Sequence, residues 1–240
     1  YLSTLPKIAA FALLINFITP FVFISRWNGF DFRLFLSVTG LITMIAGNFA
    51  AVMQQNVKRM LAYSSIGHTG FALMAIVSFS AEGISALIFY LAVYAIANIG
   101  ALILASYFAN ITGAENMDGY RGLGFTLPAA SICFVIILIS LTGLPVTAGF
   151  IGKVLVFQSV YNVYQQQHHV LMLLLLATGA LTTVVALFYY IKIPLYLFLR
   201  KSDNKRDYAV SSQILMTFAI IIVVFLVFIG LFPDYLVKYL

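Results

Sequence analysis

The chain has 240 residues, of which 63% are hydrophobic and only 8% charged, with a formal net charge of +6 and a mean hydropathy of +1.06. A soluble domain of this length carries about a quarter charged residues, so too little polar side chain is present to coat a water-facing surface. In a bilayer the requirement reverses: lipid-facing surface must be apolar and backbone groups must bond one another, so the chain reads as membrane-embedded and its positive charge as an orientation signal rather than an affinity for nucleic acid.

At roughly 20 apolar residues per span, the sequence divides into about seven predicted spans. The first is Leu5 to Ile24, ended by Arg26, Asn28, Gly29 and Asp31. The second is Leu34 to Met53, followed by Gln54, Gln55, Asn56, Lys58 and Arg59. The third is Met60 to Phe79, closed by Ser80, Glu82 and Gly83, and the fourth is Ile84 to Phe108. A loop from Asn110 to Leu127 holds Glu115, Asp118 and Arg121. A fifth apolar stretch covers Pro128 to Val160, the sixth Val170 to Leu199 and the seventh Ile214 to Phe232. His168 and His169 fall in the loop between the fifth and sixth.

Alternate loops belong on opposite sides of the membrane. One set carries Lys58, Arg59, Arg121, Arg200, Lys201, Lys205 and Arg206, while the other carries only Arg26, Arg33 and Lys238. The positive-inside bias places the first set in the cytoplasm and the C-terminus on the non-cytoplasmic side. The start at Tyr1, with Pro6-Lys7 running directly into an apolar helix and no signal peptide in view, reads as the interior of a longer protein. The lone Cys133 has no partner for an internal disulfide, and no Cys/His spacing points to a metal or cluster.

The fifth stretch is too long. Its roughly 33 residues would make an unbroken helix near 50 Å at about 1.5 Å per residue, against a hydrocarbon core of roughly 30 Å. Its interior holds Gly143, Pro145 and Gly149, which remove a backbone donor and the side-chain brace, so a break is expected at Gly143–Pro145. Lys153 then sits on the second half-helix, deep in the membrane. Broken helices at that depth often mark ion sites.

A lysine near the bilayer centre costs at least about 2.5–3.5 kcal/mol, and desolvation moves its proton affinity toward a range where it exchanges protons near neutrality. Lys153 is the leading candidate, the alternative being a lysine that snorkels to an interface. Lys7 reads equally as a flanking interface lysine. His68 lies near the middle of the third span, with Ser64 one turn away on the same face, and titrates in the range a relay needs. A neutral histidine held by packing is its alternative. Ser65 and Asn98 are supporting polar candidates, although intramembrane amides such as Asn48 and Asn98 more often join helices. Lys192, late in the sixth span, favours snorkelling. The tyrosines and Trp27 fit interface belts and core packing. No nucleophile elbow, hydrolytic acid–base pair or phosphate-cradling glycine loop is present.

Two segments carry a resemblance. Gln55-Asn56-Val57-Lys58-Arg59-Met60-Leu61-Ala62-Tyr63-Ser64-Ser65-Ile66-Gly67-His68-Thr69-Gly70 resembles the signature of the antiporter-like membrane subunits of respiratory complex I. Leu141-Thr142-Gly143-Leu144-Pro145-Val146-Thr147-Ala148-Gly149-Phe150-Ile151-Gly152-Lys153 is similar to the broken helix of that family. The Gly-Phe-Ile-Gly-Lys wording and the opening Leu5-Pro6-Lys7-Ile8-Ala9-Ala10-Phe11-Ala12 most resemble the subunit N branch of the NADH-quinone oxidoreductases. Pro145-Val146 departs mildly from the more frequent double proline or Pro-Met.

The resemblance implies an all-α, polytopic membrane helix bundle. Residues 1–240 would form a single membrane domain, the C-terminal half of a proton-translocating subunit about twice this length. Lys7 would be the central lysine linking two half-channels, His68 a member of the connecting polar axis and Lys153 the terminal lysine. The implied activity is proton translocation in the inner (plasma) membrane as part of an NADH:quinone oxidoreductase. NADH, flavin, iron–sulfur clusters and quinone would be held by partner subunits, and no cofactor or metal by this chain. Two other readings stay open: a subunit of a multisubunit sodium/proton antiporter, and a membrane scaffold that conducts no ion.

Overall fold

The computed structural model describes residues 4–23, 29–200 and 213–238. Arg26, Trp27, Asn28, Lys201, Lys205 and Arg206 lie outside the described residues. Among the described residues the fold is helical, with one isolated bridge between Asn56 and Asn116. The helices are α1 (Leu5–Phe23), α2 (Phe32–Val52), α3 (Val57–Val77) and α4 (Ala81–Thr112). A 3-10 turn (Met117–Tyr120) and the short α5 (Leu123–Thr126) follow, then α6 (Pro128–Thr142), α7 (Ala148–Gln167), α8 (Val170–Pro194), α9 (Gln213–Leu231) and α10 (Asp234–Val237). α8 ends in a π turn, Leu195–Leu199.

Five of these are long and apolar enough to cross a membrane: α2, α3, α4, α8 with its π turn, and α9, while α1 and α6 are shorter apolar helices. Together with α6 and α7 as the two halves of the overlong stretch, they account for the expected spans. Local chemistry sets the starts. Asp31 accepts the Leu34 N–H at 2.9 Å, Asn56 the Arg59 N–H at 3.0 Å and Ser80 the Gly83 N–H at 3.0 Å. Such caps are each worth about 1 kcal/mol. The Ser80 cap and Gly113, left-handed at φ 69°, make α4 a 32-residue helix, longer at both ends than the sequence reading. Asn110 therefore lies in the helix rather than in the loop. α7 likewise runs past Val160 to Gln167.

Two apolar packs form the interior. One joins α4, α6, α8 and α9 through side chains such as Phe108, Phe134, Ile193 and Leu226. The other joins α1, α2, α3, α4 and α7 through Phe11, Met44, Met74 and Val160. The outer surface is apolar as well, with Ile214, Val184 and Phe188 largely exposed, which is the distribution hydrocarbon demands. α4, α8 and α9 each run alongside both α6 and α7.

α2 and α3 touch backbone to backbone. A Cβ on Gly47 would overlap the backbone of Gly67, and a Cβ on Gly70 would come within 2.7 Å of the Met44 nitrogen and 2.8 Å of the Gly40 carbonyl oxygen. Small residues at a helix interface allow this approach where no hydrophobic driving force separates helix from lipid.

The connections sort into two ends. At one, Glu115 accepts from Lys58 Nζ at 3.1 Å and from Asn56 Nδ2 at 2.9 Å, and Arg121 and Arg200 lie over the Tyr196 ring at 5.9 and 4.1 Å. The hydrogen bonds from Asn56 and then Lys58 hold the Glu115 carboxyl below its ordinary value. At the other end Arg33 donates to Gln167 and lies over Phe79, while Asn162 donates to Glu82 at 2.9 Å. Lys58, Arg121 and Arg200, described basic residues that follow α2, α4 and α8, thus share one end, as the alternation of charge required.

Gly47→Ala is expected to lower the melting temperature of the detergent-solubilised protein, since overpacking of this kind costs about 1–3 kcal/mol. Gly40→Ala, whose Cβ would meet its neighbours at 3.5 Å or more, is expected to leave it unchanged. Thermal denaturation of the two variants side by side checks the contrast.

Candidate functional site

The break falls where Gly143 and Pro145 stand. α6 ends at Thr142, Gly143 takes the left-handed conformation at φ 81° and ψ 44°, and α7 opens after Thr147. The Gly143 N–H closes the last turn on Ile139 and Ser140 at 3.1 and 3.0 Å. Gly149 does not belong to the break itself. It lies in the first turn of α7, where any Cβ would strike the Ser140 carbonyl, so its role is to let the two half-helices overlap.

The break frees the Thr142 carbonyl, and Lys153 takes it. Lys153 Nζ donates to Thr142 O at 2.7 Å and to Thr183 Oγ1 on α8 at 3.3 Å, and it lies 5.0 Å over the Phe71 ring. A cation at a helix C-terminus is favoured by the aligned peptide dipoles, and an aromatic face adds attraction when water is excluded. Only 5% of Lys153 is exposed, which rules out a snorkelling lysine in this fold.

His68 occupies the middle of α3 and is buried. Its Nδ1 is 2.7 Å from the Tyr90 hydroxyl on α4, and its Nε2 is 3.4 Å from the Tyr190 hydroxyl on α8. The Tyr94 ring lies against it at 4.7 Å. Tyr189, beside Tyr190, donates to Asn48 Oδ1 at 3.1 Å, tying α8 to α2. A Cβ on Gly67 would collide with the Asn48 amide, so the glycine makes the room this amide occupies.

Lys7 sits near the start of α1, yet its ammonium reaches the middle of α3: Nζ donates to Ser65 O at 2.7 Å and to Ser65 Oγ at 2.9 Å. Its partner is three residues from His68, which brings the half-buried ammonium within a turn of the histidine along α3. Lys7 and Lys153 both act electrostatically on His68. Ser64 lies beside the Tyr190 hydroxyl, and the buried Asn98 is two turns from Tyr90 on α4. The structure therefore brings together Lys7, Ser64, Ser65, His68 and Lys153 from α1, α3 and α7. Lys192, read as a snorkelling lysine, is half-buried and donates to Val52 O at 2.6 Å, satisfying the C-terminal end of α2.

The tyrosines were the missed residues. Tyr90, Tyr94 and Tyr190 are buried against His68, with Tyr189 beside Tyr190, so of the two places expected for tyrosines these four take the core. One signal was available: Tyr90 and Tyr94 are four apart in the interior of an apolar run, on one helix face and away from its ends.

Gly143→Ala is expected to destabilise the protein by roughly 1–3 kcal/mol, because a non-glycine residue would be held in the left-handed region. Its Cβ would also sit 2.6 Å from Lys153 Cδ, displacing the lysine. Thermal denaturation should show the loss, and chemical labelling of Lys153 in detergent should show the amine becoming more accessible.

The family described as NADH:quinone oxidoreductase/Mrp antiporter, transmembrane, matches residues 1–182. NADH-quinone oxidoreductase subunit N 2 of Chloroherpeton thalassium is 38% identical over 208 residues, 85% of this chain and 40% of that protein. Subunit N 1 of Solibacter usitatus is 35% identical over 246 residues, spanning 100% of this chain and 48% of its own length. The chain thus spans less than half the length of these curated relatives. Among solved structures, respiratory complex I from Thermus thermophilus contains a chain that superposes with a TM-score of 0.71 at 27% identity, over 85% of this chain and 45% of that one. The match covers both the His68 helix and the broken helix that carries Lys153, and the chain belongs to the NADH:quinone oxidoreductase/Mrp antiporter transmembrane family.

Proposed function

We propose that this chain is the C-terminal half of a proton-translocating membrane subunit of an NADH:quinone oxidoreductase, and that Lys7, His68 and Lys153 lie on its proton route. The observation that carries the reading is a buried lysine, a buried histidine and a half-buried lysine drawn into one bundle, whose hydrogen-bond partners among the described residues are carbonyl and hydroxyl oxygens. Buried charge left without a counter-ion is costly, so such groups are retained where their charge is used.

The chemistry follows from the contacts. Lys7 and Lys153 are held by neutral acceptors, which stabilise an ammonium through hydrogen bonds without pairing it to an anion. Each lysine can therefore lose its proton without leaving a partner charge unpaired. Where little water screens them, charge on one lysine disfavours charge on the next, so a proton gained at one end promotes release at the other. Ser64 and Ser65 supply hydroxyls between Lys7 and His68, and Asn98 continues the polar face of α4.

Redox energy would be delivered by partner subunits holding nicotinamide, flavin, iron–sulfur and quinone sites. The shared basic end of Lys58, Arg59, Arg121 and Arg200 would face the cytoplasm of a plasma membrane, leaving the C-terminus outside. The subunit N names of the most similar relatives favour this reading over a sodium/proton antiporter.

NADH-driven proton uptake by inverted membrane vesicles tests it, comparing the full-length protein with its Lys153→Ala and Lys7→Ala forms. Uptake should fall sharply in both while assembly is unchanged. Full uptake in Lys153→Ala would make that lysine structural and withdraw the pumping assignment for this half.

A further inference from the structure

Lys153 commits its ammonium to Thr142 and Thr183, and His68 directs both ring nitrogens at tyrosines. The two residues do not meet, but Tyr90 touches the surroundings of both. Its hydroxyl is 2.7 Å from His68 Nδ1. Its ring and backbone press on Gly152, the residue before Lys153, where a Cβ would come within 3.3 Å of Tyr90 Cδ2. Phe71, which carries the Lys153 ammonium on its face at 5.0 Å, stacks on Tyr90 at 6.0 Å with rings inclined by 26°.

Resting on the proton-route reading above, we propose that Tyr90 is a proton-transferring residue between His68 and Lys153, and that Tyr190 serves the opposite face of the imidazole. A phenol hydroxyl is suited to this, because it donates and accepts at one oxygen and stays neutral when one proton arrives as another leaves. In one pass, the Tyr190 hydroxyl proton moves to His68 Nε2 while the Nδ1 proton moves to the Tyr90 oxygen. The original Tyr90 proton leaves for the uncharged Lys153 amine through bridging water, because Lys153 is bonded to Thr142 and Thr183 rather than to Tyr90. Tyr190 is refilled from the Lys7 side, also through water, where Ser64 lies beside it. One proton has advanced, both tyrosines and the imidazole end neutral, and the imidazole has exchanged one tautomer for the other. The reverse sequence carries a proton the other way, so the lysine that is charged sets the direction.

The two contacts are unequal. The 2.7 Å side is closed, whereas the 3.4 Å side must shorten by about half an ångström to reach ordinary hydrogen-bond length. Tyr190 therefore stands at the point where the line opens and closes. The groups facing His68 are Tyr90 and Tyr94 from α4 and Tyr190 from α8, with Lys7 on α1 and Lys153 on α7 acting from farther away.

The experiment is NADH-driven proton uptake in vesicles carrying the assembled full-length protein, with Tyr90→Phe, Tyr190→Phe and Lys153→Ala forms compared in one preparation. Tyr107→Phe is the control, since its hydroxyl is buried on α4 without a hydrogen-bond partner among the described residues and outside the site. Tyr90→Phe and Tyr190→Phe should each lose as much uptake as Lys153→Ala, with Tyr107→Phe unchanged. A second measurement replaces Tyr90 by 3-fluorotyrosine, which keeps ring and hydroxyl but makes the phenol more acidic. The pH profile of uptake should then move to lower pH. Loss of uptake in Lys153→Ala with full uptake in Tyr90→Phe would overturn the relay and leave the route standing. Full uptake in Lys153→Ala would overturn both. A Tyr90→Phe loss combined with an unmoved fluorotyrosine profile would make the hydroxyl structural and likewise overturn the relay.

Discussion

A lysine ammonium in a hydrocarbon environment must find an acceptor inside the protein, and in this bundle the acceptor exists because a helix is broken. Thr142 ends α6, its carbonyl has no amide to receive, and the Lys153 ammonium fills that place at 2.7 Å. The two defects compensate: an unsatisfied carbonyl and an unpaired cation would each cost several kcal/mol in a lipid core, and together they form a charge-assisted hydrogen bond at the negative end of a helix dipole. Gly143 makes the geometry available, since its left-handed backbone and missing side chain leave the space that the Lys153 stem occupies.

That pairing requires long, continuous neighbours. α4, α8 and α9 each run beside both halves of the broken helix and hold them in register, so the discontinuity stays inside protein and away from lipid. The same neighbours bring in the polar partners, Thr183 from α8 and the tyrosines from α4 and α8. On the far side, glycines bring α2 and α3 into backbone contact, which places Asn48 beside Tyr189 and steadies the helix that carries His68. Rigid packing thus surrounds a line of groups whose hydrogen bonds are mostly to neutral oxygens.

The distribution of polarity inverts that of a soluble domain. Large aliphatic side chains cover the outside, and the hydroxyls, amide, imidazole and two lysines lie near the meeting of the two apolar packs. Such an interior carries few charges, and in its low dielectric the coupling between them is strong.

Much of this was legible from the chain alone, and the legible part is local. Apolar run length determined the number of spans, Asp31, Asn56 and Ser80 fell in the polar stretches that bound them, and Gly143 with Pro145 marked the break, because hydropathy and proline chemistry act within a few residues. That Lys153 and His68 fall inside apolar stretches followed from the same counting, and both are buried. Only tertiary structure decided that Lys7 reaches Ser65, that Lys192 satisfies Val52, and that three tyrosines surround one histidine. Those contacts join residues separated by as much as 140 positions. A tyrosine in an apolar run packs equally well against lipid, headgroup or protein, so its sequence neighbours do not say which way its hydroxyl turns. Helix packing settles that, through the glycine contacts and shared faces that bring distant turns to the same depth.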